Sequence, residues 1–160
     1  MTLNIGDKAP NFTALVTDGE DIEEFELENE LGDGPVVLGF FPFAFTGTCE
    51  EQMCDLRDNL TELEQSGAKT FGLSVDSPFT LKVFHQQHDF GFPLVSDFNR
   101  EAVEAYGLQY GDLIMGLEGP AKRACLVLDS DGTIIWSWST DDPGQKPDIR
   151  EIQGIVAKLN

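Results

Sequence analysis

Cys49 stands three residues after Thr46 and seven after Pro42, within the stretch Phe41 to Asp58, FPFAFTGTCEEQMCDLRD. A cysteine that opens a helix lies among unpaired backbone N–H groups at the positive end of the helix dipole. Such surroundings favour thiolate, the nucleophilic form. An ordinary thiol with a pKa of about 8.5 is only a few per cent ionised near neutrality. Lowering it by about two units needs roughly 2.7 kcal/mol of preferential stabilisation. The helix end supplies about 0.3–1 kcal/mol, and Glu50 and Glu51 oppose it, so a cation is required. The chain has four arginines to offer: Arg57 two turns along the same helix, Arg100 and Arg150 near other helix starts, and Arg123 before a predicted strand. The blander alternative is a core thiol, because free cysteine is among the most buried residue types.

Three elements must position this residue. Val36 to Phe45 is apolar apart from Gly39 and Pro42, which suits a buried strand that ends at Pro42. Gly47 breaks the run, and Thr48-Cys49-Glu50-Glu51 reads as a capping box that starts a helix. Cys49, Met53, Leu56, Leu60 and Leu63 then recur on one helical face, which predicts Cys49 at the first helical position.

Other chemistry is weaker. His85 and His88 lie three apart on a predicted helix and could share a metal, yet neither an HExxH pattern nor a cysteine pair accompanies them. Asp129-x-Asp131-Gly132 faintly echoes a calcium loop without the remaining ligands. Trp136 and Trp138 share one face of a strand and suit packing. There is no phosphate-binding loop, dinucleotide fingerprint or CxxC pair. No metal or other cofactor is expected.

At 160 residues the chain suits a single domain, taken as 1–160, with a full core. Its formal net charge of −19, from 10 basic and 29 acidic residues, argues against nucleic acid, which demands a basic patch. The N-terminus shows no apolar signal region, and no apolar run approaches the roughly 20 residues of a membrane helix. A cytoplasmic protein with reduced thiols is the expectation. Asp18 to Asp33 holds nine acids and no bases, and reads as a solvated face rather than a cation site or docking patch. An acid excess this large suggests a high-salt cytoplasm, where the Debye length shrinks to about 3 Å at roughly 1 M salt.

Further along, Thr70 to Val75 reads as a strand, and Ser77-Pro78 opens a helix. Pro93 to Ser96 is a short strand, and Glu101 to Tyr106 a short helix. Cys125 to Leu128 and Thr133 to Trp138 flank an Asp131-Gly132 turn, and Asp148 to Leu159 forms an amphipathic helix. Alternating strands and helices predict an α/β fold around a mixed central β-sheet.

The pattern Pro42-x-x-x-Thr46-x-x-Cys49 resembles the active-site motif of the peroxiredoxins, and Arg123-Ala124-Cys125-Leu126-Val127-Leu128-Asp129 resembles the segment carrying their active-site arginine. The resemblance runs from Gly6-Asp7-Lys8-Ala9-Pro10-Asn11-Phe12 to the last helix. It implies a thioredoxin-like fold with an N-terminal β extension. It also implies a thiol peroxidase in which Cys49 attacks hydrogen peroxide or a small alkyl hydroperoxide and becomes a sulfenic acid. Pro42 would shield the thiolate, Thr46 would orient it, and Arg123 would stabilise it and the peroxide oxygens.

Cys54 lies five positions after Cys49, the spacing at which the bacterioferritin-comigratory branch places its resolving cysteine. The PFAFTGTC stretch is more similar to the AhpE-like branch, whose single cysteine is reduced from outside. Thioredoxin, another redoxin or a low-molecular-weight thiol would be the reductant, and a homodimer is compatible with the resemblance. Two departures stand out: Gln52 replaces the usual glutamate three residues after the peroxidatic cysteine, and no C-terminal Val-Cys-Pro segment is present. Cys125, on the strand face of Arg123, is a third thiol better suited to filling core space. A peroxide sensor and a redox-linked chaperone are the other classes the resemblance admits.

Overall fold

The computed structural model describes residues 3–111, 116–142 and 144–159, without the Cys49 side chain. Its strands are β1 (Thr13–Thr17), β2 (Ile22–Glu26), β3 (Val36–Phe40), β4 (Lys69–Ser74), β5 (Leu94–Ser96), β6 (Arg123–Leu128) and β7 (Ile134–Thr140). The helices are α1 (Gly47–Asp58), α2 (Leu60–Gln65), α3 (Pro78–His88), α4 (Glu101–Ala105) and α5 (Ile149–Ala157). The strands form one mixed sheet in the order β2-β1-β5-β4-β3-β6-β7. β3 pairs in parallel with β4 and antiparallel with β6, and the β1–β2 hairpin joins the edge of β5. This is the expected thioredoxin-like arrangement with its N-terminal β extension.

Strand alternation divides the core into two layers. Val36, Leu38 and Phe40 face one layer with Phe12, Phe71, Leu126 and Tyr106, while Val37 and Phe41 face the other with Met53, Leu56, Phe84, Val127 and Ile152. The second layer holds α1, α3 and α5 against the sheet. Gly39 and Gly72 are register partners on β3 and β4. A methyl group at Gly39 would meet Leu56 Cδ1 at 3.1 Å, and one at Gly72 would meet Met53 Sδ at 2.9 Å. α1 therefore seats directly on these two bare positions. Burying Met53 and Leu56 there contributes about 1.5–3 kcal/mol each.

Two local expectations are corrected. The helix begins one turn-fraction earlier than the capping box suggests: Thr46, with extended backbone (φ −109°, ψ 145°), is the N-cap, and Gly47 is the first helical residue. Thr48 thus lies inside α1, and Cys49 is its third residue rather than its first. The apolar stripe is also not one continuous helix. Asn59 (φ −114°, ψ 9°) separates α1 from α2, because its amide donates to Asp55 O at 2.8 Å and accepts from Gln153 Nε2 at 3.0 Å. A short polar side chain competing for backbone partners interrupts a helix in this way. Ser77 does cap α3 as expected, accepting from Thr80 N at 3.2 Å with Pro78 behind it.

Candidate active site

The site is built where β3 ends and where β6 and α1 begin. Phe40 pairs with Ala124, so Arg123 lies just past the last residue of β3 and beside the start of the Phe41–Thr46 loop. That loop turns sharply: Phe45 adopts a left-handed φ of 66°, a costly conformation for an aromatic residue. Three contacts hold it. Ala44 N donates to Asp76 Oδ2 at 2.7 Å, Thr46 Oγ1 donates to Phe43 O at 2.9 Å, and the Phe45 ring packs edge-on against Phe84 at 5.0 Å. Pro42 is buried at the base of the loop, and Thr46 is exposed at its end.

Arg123 is 1% exposed, which excludes an ordinary surface arginine at a strand end. Its Nη1 donates to Gln52 Oε1 at 2.9 Å, and Gln52 Nε2 in turn donates to Phe40 O at 3.3 Å. Gln52 is itself buried, at 2% exposure. Position 49 lies one helical turn before Gln52, on the same face of α1. The Cys49 side chain, on which the expected chemistry turns, lies outside the described residues. The other arginines are engaged elsewhere or exposed. Arg57 binds Asp58 at 3.0 Å and His88 O at 2.9 Å, Arg100 binds Gly119 O at 3.2 Å, and Arg150 is exposed.

Asp76 is a site residue that the sequence reading missed. Its Oδ2 accepts from Ala44 N and from Ser74 Oγ, each at 2.7 Å. Burial raises its pKa above the ordinary carboxylate value, although both donors pull the other way. The available signal was a polar Ser74-x-Asp76 pair at the carboxyl end of a buried strand, where α/β sheets place functional groups.

Cys54 is half-buried on α1, and burial raises its thiol pKa, with Arg57 opposing. Cys125 is wholly enclosed opposite Gly39, and burial pushes its thiol up to about 12. His85 and His88 do not converge: His85 Nε2 meets Phe92 O at 3.0 Å, whereas His88 Nδ1 faces Cys54 Sγ at 3.8 Å. Among the described residues no group of three or more histidine, cysteine or acidic side chains could hold a metal ion. Asp129 Oδ1 accepts from Asp131 N and Thr133 N at 3.0 Å, so the calcium-like echo is a hairpin turn. No helix among the described residues is long and apolar enough to cross a membrane.

Residues 5–137 match the AhpC/TSA family. The chain is 35% identical over 159 residues to alkyl hydroperoxide reductase E of Mycobacterium tuberculosis, covering 98% of each protein. It is 32% identical over 133 residues to peroxiredoxin Bcp of Escherichia coli, covering 82% of this chain and 83% of that one. Among solved structures, peroxidoxin BcpB of M. tuberculosis superposes with a TM-score of 0.82 at 26% identity, covering 98% and 97% of the two chains.

Proposed function

This chain belongs to the AhpC/TSA family and is a thiol peroxidase of the peroxiredoxin kind, and we propose that Cys49 is its peroxidatic nucleophile. The observation that carries this reading is the buried Arg123–Gln52 hydrogen bond, which ties a cation to the face of α1 one turn from position 49. An arginine held there supplies the stabilisation that a helix end alone cannot.

In the proposed reaction the Cys49 thiolate attacks the distal oxygen of hydrogen peroxide or a small alkyl hydroperoxide. The O–O bond breaks, an S–O bond forms, and the departing oxygen leaves as water or alcohol after taking a proton. Arg123 and the backbone N–H groups of the first turn of α1 stabilise the charge that develops on that oxygen. Thr46 orients the peroxide at the rim, and buried Pro42 keeps bulk water from the thiolate.

Cys54 then attacks the sulfenic acid, and the disulfide is reduced by thioredoxin or a similar thiol. Five residues on an intact helix separate the two Cα atoms by about 8.7 Å, while a disulfide needs less than about 7 Å. The first turn of α1 must therefore open. It is the lightly held part of the helix, since the Thr46 side chain accepts no bond from the first helical N–H groups and Thr46 and Gly47 are exposed. A second reading follows from the same helix: while it stays intact, an external low-molecular-weight thiol reduces Cys49 directly. The acidic surface extends the proposal to a reducing, high-salt cytoplasm.

The test is intact mass of the reduced protein in molar potassium chloride after one equivalent of hydrogen peroxide. Rapid loss of two hydrogens, replaced by gain of one oxygen in Cys54→Ser, is the expected result. Oxygen retained in the wild type would assign reduction to an external thiol. No rapid change would overturn the assignment of Cys49. Arg123→Met should slow the first step about a hundredfold.

A further inference from the structure

His88 is the last residue of α3, and its ring reaches across to α1. Nδ1 lies 3.8 Å from Cys54 Sγ, and Nε2 lies 3.7 Å from Glu50 Oε1. Glu50 and Cys54 are one helical turn apart on the same face of α1. The imidazole thus stands between a thiol and a carboxylate. It is held there firmly: the Phe90 ring stacks on it at 5.2 Å with a 20° interplanar angle, and the Phe84 ring meets it edge-on at 5.1 Å. The His88 backbone is fixed as well, its carbonyl accepting from Arg57 Nη1 at 2.9 Å.

Cys54 needs such a partner if it is to resolve a sulfenic acid. The attacking species is the thiolate, and partial burial keeps this thiol protonated more firmly than an ordinary cysteine. Arg57 favours ionisation, whereas Glu50, Asp55 and Asp58 disfavour it. A neutral imidazole at the sulfur can take the proton directly, and the carboxylate at its far nitrogen stabilises the imidazolium.

We propose that His88 is the general base of the resolving step, with Glu50 as its positioning residue. The inference rests on the reading that Cys54 resolves the Cys49 sulfenic acid. As the Cys54 sulfur attacks, its proton passes to His88 Nδ1. The S–S bond forms and the S–O bond breaks. The departing hydroxide recovers that proton from the imidazolium and leaves as water. Cys54 sulfur is oxidised and Cys49 sulfur reduced by the same electron count, so no outside oxidant or reductant enters. The geometry permits this without moving Cys54. Arg57 to His88 O, Lys146 to Asp55 at 2.9 Å and buried Leu56 pin the later part of α1. Opening ahead of Glu50 brings Cys49 to Cys54, a gap of about 2 Å beyond disulfide range.

Rapid-quench intact mass in molar potassium chloride separates the two steps. In the wild type the oxygen-gained species should convert rapidly to the two-hydrogen-lost species. The charged groups around Cys54, namely Glu50, Asp55, Arg57 and Asp58 on α1, are retained in every variant. His88→Asn and His88→Gln should gain oxygen at the wild-type rate and close the disulfide about tenfold to a hundredfold more slowly. Added free imidazole should restore part of the rate in His88→Ala. Disulfide closure in His88→Asn at the wild-type rate would overturn the role of His88 while leaving resolution by Cys54 intact. Equal slowing of both steps would mark a structural role and overturn it too. A wild type that keeps its oxygen would overturn resolution by Cys54 itself, and His88 with it.

Discussion

Arg123 donates to Gln52 across 2.9 Å, and both side chains are buried. The amide oxygen satisfies a guanidinium N–H without cancelling the positive charge, as a carboxylate in its place would. Gln52 also spans to Phe40 O, so one neutral side chain ties the end of β3, the start of β6 and α1 together. Gln52→Met keeps the volume and removes both bonds. It should cost about 1–3 kcal/mol, since it removes a buried hydrogen bond to a charged donor and a second bond to the backbone. Peroxide-driven oxidation should slow about tenfold. Urea unfolding and rapid-quench mass measure the two effects separately.

Asp76 should matter through the loop it holds. Asp76→Ala frees Ala44 N–H and lets the Phe45 turn relax, so the oxidation rate should fall about tenfold with a stability loss of about 1–2 kcal/mol. Asp76→Asn retains an acceptor and should recover most of the rate.

The pH dependence of that pair has a definite sign. The folded-state pKa of Asp76 is raised by burial, so the native state holds its proton more tightly than the unfolded chain does. Its favourable contribution is fully present below the ordinary aspartate range and is lost as pH rises through the folded value. Wild-type stability should therefore decline relative to Asp76→Asn as pH rises from acid towards neutral. Parallel urea titrations of the two proteins check this, and a constant difference would contradict it.

Cys125 should be inert. Fully enclosed and with its pKa pushed up to about 12, it offers almost no thiolate at neutral pH. Alkylation of the native reduced protein should spare it while labelling Cys54. Cys125→Ala should leave disulfide closure at the wild-type rate.

Salt should stabilise the fold. A formal net charge of −19 means broad self-repulsion in dilute buffer, screened as the Debye length falls from about 10 Å at 0.1 M to about 3 Å at 1 M salt. The melting temperature should climb with potassium chloride by about 2–4 °C for each kcal/mol recovered. A flat response would remove the argument for a high-salt setting.

Periodicity and turn chemistry were legible wherever the signal was local. Ser77-Pro78 starts α3, Asp131-Gly132 turns the hairpin, and the strand around Val36 to Phe40 is where the apolar run predicts it. The cap of α1 departs from the expectation because the capping box marks Thr48, whereas the helix starts from Thr46, whose side chain makes no cap hydrogen bond and which follows a loop held by Asp76. The break at Asn59 needed Gln153, 94 residues away in sequence. The proximity of Cys54 to His88, 34 residues apart, likewise exists only once α1 and α3 share a layer. Side chains whose partners come from distant elements carry no sequence-local trace.

Gly39 and Gly72 set how near α1 can come to the sheet, and they do so by having no side chain. A mutational survey that truncates polar groups around Cys49 would pass over both positions. Yet one added methyl at Gly72 would meet Leu94 Cδ2 at 2.8 Å and Met53 Sδ at 2.9 Å, so the Met53 side chain that seats α1 would have to shift. How closely α1 seats on the sheet is thus encoded partly in two residues that have no side chain at all.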